Sequence, residues 1–150
     1  MNKIFNSSFE TGLRVLLLLS SIQPQAATID RITAYDFITI YGRDFGVSKT
    51  NLHGDSNFNF SELASKRTNC NEGIKEFVLD GLISIKRTEE GFTYYLNQSG
   101  KKYVESLSSD YAAQYLEISQ KVHQKFSSFS DEEIINLINK KAINELRRES

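Results

Sequence analysis

Leu82-Ile83-Ser84-Ile85-Lys86-Arg87-Thr88-Glu89-Glu90-Gly91-Phe92-Thr93-Tyr94-Tyr95-Leu96 is the stretch on which the fold turns. Here the apolar period changes from 3.6 to 2. Ile83 and Ile85 share one face of the first run, and Phe92, Tyr94 and Leu96 share one face of the second. The short connection Thr88-Glu89-Glu90-Gly91 joins them, which predicts a β-hairpin.

Upstream the pattern is helical. Ser61 is read as the cap of a third helix over residues 61–80, with Leu63, Ile74, Phe77 and Val78 as its apolar positions and Gly81 as its stop. Gly73 lies in a polar stretch of this helix and lowers its propensity by about 1 kcal/mol, which leaves room for a kink or break there. Residues 47–59 read as a polar surface loop around His53-Gly54-Asp55-Ser56, with room for a short strand. Thr28 caps a second helix over residues 29–45, in which Ala34, Phe37, Ile38, Tyr41 and Phe45 recur at helical spacing and Gly46 follows as a stop. Ser7-Ser8-Phe9-Glu10 has the form of a capping box and opens a first helix over residues 8–22, which Pro24 ends. Its stripe of Phe9, Leu13, Leu16 and Leu17 is widened by Val15, Leu18 and Ile22, so the helix should be mostly buried.

Downstream, Asn97-Gln98-Ser99-Gly100 caps a short helix carrying Tyr103, Val104 and Leu107. Residues 109–129 form a helix with Ala112, Tyr115, Ile118, Val122, Phe126 and Phe129 along a seam. Ser130-Asp131-Glu132-Glu133 is a second capping box and launches a last helix, apolar at Ile134, Leu137, Ile138, Ala142 and Leu146. Lys140, Lys141, Arg147 and Arg148 suit the C-terminal end of its dipole. The expected class is mainly α with a small β-hairpin. Helix, helix, helix, hairpin is the layout of a winged helix-turn-helix-like core, residues 1–107, with C-terminal helices over 108–150 packed on it in one compact domain. This step is fold-level analogy, as is the expectation that appended helices dimerise or dock a partner.

Composition agrees. A chain of 150 residues, 39% hydrophobic and 25% charged, is one ordinary globular domain. The formal net charge of −1 gives no global attraction to nucleic acid or to an anionic membrane. Cys70 stands alone, so no internal disulfide forms, which suits a reducing compartment. Lys3, the Val15–Leu19 run and Gln25-Ala26-Ala27 sketch a secretory signal. Arg14 interrupts the run, Glu10 sits where positive charge belongs, and the run is too short to span a bilayer. The expectation is a buried first helix in a cytoplasmic protein.

Catalytic machinery is not legible. The histidines, His53 and His123, are far apart in sequence, and neither is spaced to serve Cys70 as a base. His53 reads as a solvated loop residue, His123 as a surface or rim residue, and Cys70 as an inert small hydrophobe. Asp131-Glu132-Glu133 is explained by helix capping rather than metal binding. Glycines never recur at phosphate-loop spacing. The chain is therefore expected to be a binding protein, not an enzyme, with no cofactor, metal, membrane or small-molecule substrate.

DNA reading is weakly supported. The third helix offers Lys66, Arg67 and Lys75 but also Glu62, Glu72, Glu76 and Asp80. The wing offers Lys86 and Arg87, followed by Glu89 and Glu90. Asn69, Asn71 and Arg67 are the side chains suited to base or phosphate contacts. Lys66, Arg67, Asn69, Lys75, Lys86 and Arg87 form the candidate DNA or partner surface, with DNA contact indirect or weak.

One motif goes further. Asn6-Ser7-Ser8-Phe9-Glu10-Thr11-Gly12-Leu13-Arg14-Val15-Leu16 resembles the opening of the middle-component family of bacterial ABC-three-component systems, typically NSPFETGLRVL, with Ser8 in place of the proline. Looser likeness runs through residues 29–41, the His53-Gly54 loop, residues 62–80, Gly81-Leu82-Ile83, Glu90-Gly91-Phe92 and residues 111–133. That family is similar to the small subunit of Lamassu-type defence systems. The resemblance implies a non-catalytic adaptor between an SMC-like coiled-coil ABC ATPase and an effector, often a nuclease, acting when foreign DNA is sensed. Phe9, Glu10 and Arg14 are then candidate interface residues. Arg14 interrupts an apolar face, so it either pairs with Glu10 at i, i+4 or reaches a partner's carboxylate; the internal pair is the slightly favoured reading. The rival reading is a homodimeric winged-helix transcription regulator.

Overall fold

The computed structural model describes residues 7–54 and 60–149. Among them, six helices and one antiparallel hairpin form the element order α1 (Ser8–Ser21), α2 (Ile29–Ile40), α3 (Phe60–Leu79), β1 (Ile83–Thr88), β2 (Gly91–Leu96), α4 (Gln98–Glu105), α5 (Asp110–Phe126) and α6 (Asp131–Glu149). The class is mainly α with a two-stranded sheet, as expected.

The capping signals of α1, α2 and α6 operate as read. Ser7 Oγ accepts from the Glu10 N–H at 3.1 Å, and Thr28 Oγ1 from the Arg31 N–H at 3.1 Å. At α6 both arms of the box close: Ser130 Oγ accepts from the Glu133 N–H at 3.1 Å, and Glu133 Oε1 from the Ser130 N–H at 2.9 Å. The apolar run that resembles a signal segment is the central helix of the core. Val15, Leu16, Leu18 and Leu19 are fully buried because α1 packs against α2, α3 and α5 at once. No helix of the described residues is long and apolar enough to cross a membrane.

Three boundaries differ from the sequence reading. The second helix ends at Ile40, not Phe45: Asp44 N–H bonds Tyr41 O at 2.9 Å and Gly46 N–H bonds Arg43 O at 3.2 Å, so the chain turns tightly. The apolar period persists because the turn still packs inward, with the Phe37 ring 4.9 Å from Tyr41 and 6.3 Å from Phe45. The fifth helix likewise stops at Phe126, before Phe129.

The third helix has already begun at Phe60, and it runs unbroken through Gly73. There α1 crosses α3: a Cβ on Gly73 would lie 2.7 Å from Ser8 O and 2.8 Å from Gly12 Cα. The glycine is a crossing point, so its propensity cost is offset by close helix packing. At the other end Gly81, at φ +79, donates to Val78 O at 3.0 Å while Leu82 N–H reaches Phe77 O at 2.9 Å, a Schellman stop. Residues 47–54 are loop and turn without a strand; residues 55–59 of the expected loop lie outside the described residues.

The hairpin register pairs Ile83 with Leu96, Ile85 with Tyr94 and Arg87 with Phe92, closing on the two-residue turn Glu89-Glu90. Ile83 and Leu96 are buried at the base, whereas Ile85 (49%) and Phe92 (58%) on the same face are exposed beyond it. Ala27, between α1 and α2, adds a one-residue rung to the outer edge of β2, exchanging N–H···O bonds of 2.9 and 2.8 Å with Tyr94. Tyr115, Val122 and Phe126 of α5, and Ile134, Ile138 and Ala142 of α6, share the core of α1, α2 and α3.

Candidate functional site

Two largely buried helices each carry one charge into the interior: Arg14 on α1 and Asp36 on α2, 2% and 0% exposed. Arg14 Nε donates to Asp36 Oδ1 at 2.9 Å and an Nη to Oδ2 at 3.3 Å, with a further bond to Thr11 Oγ1 at 3.2 Å. Lys66 Nζ, from α3, stands 3.9 Å from Asp36 Oδ2. Tyr115 of α5 donates its hydroxyl to Asp36 Oδ1 at 2.6 Å. Tyr111, one turn earlier, stacks beside Tyr115 at 6.4 Å and shares a 2.6 Å hydrogen bond with His53 Nε2 from the 47–54 loop. One carboxylate therefore ties together α1, α2, α3 and α5, and Tyr111 brings in the loop.

The electrostatics follow. Burial alone would raise the Asp36 pKa, but the charges of Arg14 and Lys66 and the bonds from Arg14 and Tyr115 outweigh it and hold the carboxyl at about 2. Burial pushes the Tyr115 hydroxyl far up, and the Asp36 charge adds to it. His53 is driven down to about 4 by burial and then by the positive charges of Arg14 and Lys66. Burial, then the Asp36 charge, raises the Cys70 thiol to about 12. Among the described residues no buried side-chain nitrogen or oxygen lacks a hydrogen-bond partner. The cluster thus joins four helices at one fully partnered carboxylate.

This placement revises several sequence assignments. Arg14 is a core residue paired with Asp36, neither a surface anchor for a partner nor an exposed mate for Glu10, because its guanidinium is enclosed where α1, α2 and α5 meet. Lys66 is buried on the same carboxylate and leaves the candidate contact surface. His53 is a half-buried partner of Tyr111, not a solvated loop residue. His123 sits at a half-buried rim, its Nδ1 3.1 Å from Tyr35 OH.

Of the other candidates, Phe9 is half-exposed with its ring 6.1 Å from Phe77, and Glu10 is partly buried. Arg67 is exposed in a 2.9 Å pair with Asp30, Asn69 is partly buried, and Lys75, Lys86 and Arg87 are exposed. The Arg87 guanidinium lies 5.9 Å from the Phe92 ring centroid. The predicted residues thus divide between an internal cluster, the outside of α3 and the hairpin. Asp36, Tyr111 and Tyr115 were missed. The available signal was an acid in the apolar run of α2, which a lone arginine in the apolar run of α1 could neutralise.

Residues 4–148 match the family described as ABC-three component (ABC-3C) system Middle Component 2. The chain belongs to this family. No curated protein and no solved structure matches it. As a Middle Component 2 protein it is an accessory subunit of an ABC-three component system, which implies partner subunits, an ABC ATPase among them.

Proposed function

We propose that this chain is a non-catalytic adaptor that bridges or regulates an SMC-like coiled-coil ABC ATPase and an effector nuclease in a Lamassu-type cytoplasmic defence complex responding to foreign DNA. The observation that carries the reading is the family match along nearly the whole chain. The surface supports a protein partner: the hairpin extends Ile85 and Phe92 into solvent beside Arg87, and Leu79 at the end of α3 is 87% exposed. The matching fold reading is a winged helix-turn-helix-like core, in which α1, the Ala27 rung, α2, α3 and the hairpin follow one another and the rung braces the wing. α5 and α6 are the appended helices.

The test is co-expression with the products of neighbouring reading frames, affinity capture and mass determination of the complex. The adaptor reading expects a stoichiometric assembly containing a coiled-coil ATPase. It is overturned if the chain purifies alone as a homodimer that holds a specific duplex at about 10 nM or tighter in physiological salt, the behaviour of a transcription regulator.

A further inference from the structure

A cavity of about 710 Å³ lies between the hairpin and the helical body. It is lined by Ile22 at the end of α1, Pro24, Gln25 and Ala26 of the following linker, Arg31 of α2, Lys86 and Tyr95 of the hairpin, and His123 and Ser127 at the end of α5. The volume falls within the range of small-molecule sites, roughly 300–1,000 Å³. Lys86 and Tyr95 come from the hairpin face opposite Ile85 and Phe92, as the register requires.

The lining holds an ammonium, a guanidinium, an imidazole, a phenol, an amide and a hydroxyl, and no carboxylate. Arg31 is fixed: Nε bonds Asp131 Oδ1 at 2.6 Å, and its other nitrogens reach Tyr35 OH at 3.3 Å and the carbonyls of Phe126 and Phe129. It is a stationary positive pole, partly offset by Asp131. Lys86 is exposed and makes no ion pair among the described residues, so its charge is available to a ligand. The rest of the lining includes Ile22, Pro24, Ala26 and the Tyr95 ring, Tyr95 on the same hairpin face as Lys86, and this apolar surface suits a planar group. Gln25 and Ser127 supply donors and acceptors to such a group's edge.

We propose that this cleft binds a nucleotide unit, with its phosphate at Lys86 in the field of Arg31 and its base against Tyr95 and Pro24. An isolated phosphate would leave the apolar wall empty, and an apolar ligand would leave Lys86 unanswered. The unit is supplied either by a free nucleoside monophosphate or by one nucleotide of a single strand, since both present a phosphate and an unstacked base. Bound there, it bridges the hairpin and the helical body. The assignment does not depend on which subunits surround the chain.

The test is an isotope-edited NMR titration of the full chain, following the His123 ring and the amides of Gln25, Lys86 and Tyr95. The probes are adenosine monophosphate, a single-stranded oligoadenylate, inorganic phosphate and a glutamate-rich peptide. Saturable shifts are expected with the mononucleotide or the single strand, and which of the two saturates first identifies the source. Lys86→Ala and Tyr95→Ala should each weaken binding tenfold or more, and Lys101→Ala on α4 should leave it unchanged, all three retaining the thermal midpoint of the parent chain. The proposal is overturned if neither nucleotide probe gives saturable shifts at millimolar concentration, if inorganic phosphate or the peptide binds as well as the nucleotide, or if binding survives both cleft substitutions.

Discussion

Asp36→Asn isolates the charge of the internal cluster with almost no change in shape. Two routes give its magnitude. Holding the carboxyl at about 2, below its ordinary 3.8, makes ionised Asp36 worth on the order of 2 kcal/mol at neutral pH. That figure already contains the attraction of Arg14 and Lys66, which the substitution leaves as buried cations without a counter-charge. Removing one member of a buried pair costs about 3–5 kcal/mol. For a chain of this size about 1 kcal/mol moves the melting midpoint by roughly 2–4 °C, so the loss should be about 6–20 °C. Urea unfolding with an unchanged slope gives the free energy directly. Lys66→Met added to Asp36→Asn should return part of the loss, since it removes one uncompensated cation. The sign with pH is fixed as well. The folded pKa is depressed, so this stability is complete above about 4 and disappears as pH falls towards 2, a component Asp36→Asn should lack. A loss below about 1 kcal/mol, or no recovery on removing Lys66, would refute the claim that Asp36 neutralises both cations.

Gly73→Ala should destabilise by about 1–3 kcal/mol in spite of alanine's better helix propensity, because the new Cβ meets the backbone of Ser8 and Gly12 rather than a movable side chain; a gain in the urea midpoint would show that α1 and α3 separate freely. His53 is neutral when folded down to about 4 and ordinary at 6.5 when unfolded, so its contribution is present above 6.5 and lost as pH falls through 4. His53→Gln should therefore flatten the melting midpoint against pH across that window, and an unaltered slope would place the proton elsewhere. Cys70 is fully buried with its thiol raised to about 12, so disulfide reagents should modify it only in denaturant; rapid labelling of the native chain would contradict its burial.

The elements were legible because their signals are local. Ser7, Thr28, Asn97 and Ser130 each cap the helix that their sequence context announced, and Gly81 stops α3 through its left-handed backbone. Helix ends were misplaced where tertiary packing continues the apolar rhythm past the last helical bond, as at Phe45. Gly73 was misread because its partner, Gly12, lies on another helix and no window of sequence holds both. The internal cluster escaped for the same reason: Arg14 stands out in its apolar run, but its partner Asp36 and the further groups Lys66 and Tyr115 lie on other helices, and only the fold brings them together.

That fact changes where a partner surface should be sought. The N-terminal motif first offered Phe9, Glu10 and Arg14 as contacts, yet its one unusual residue is spent on Asp36 inside the molecule. Glycine at position 12 serves the crossing with α3, and Ser7 serves the cap. The motif therefore specifies how α1 sits among its neighbours, and changing Arg14 would test folding before it tested assembly. Lys66 carries the same warning on α3. A substitution scan for the partner interface is better begun at Ile85, Arg87 and Phe92, which are exposed on one hairpin face and not needed by the core. If Arg87→Glu and Phe92→Ala leave the melting midpoint unchanged but remove the ATPase from the captured complex, the hairpin is the docking element. If capture survives both, the interface lies on another face, and α6, whose Ile143 is exposed, is the next place to look.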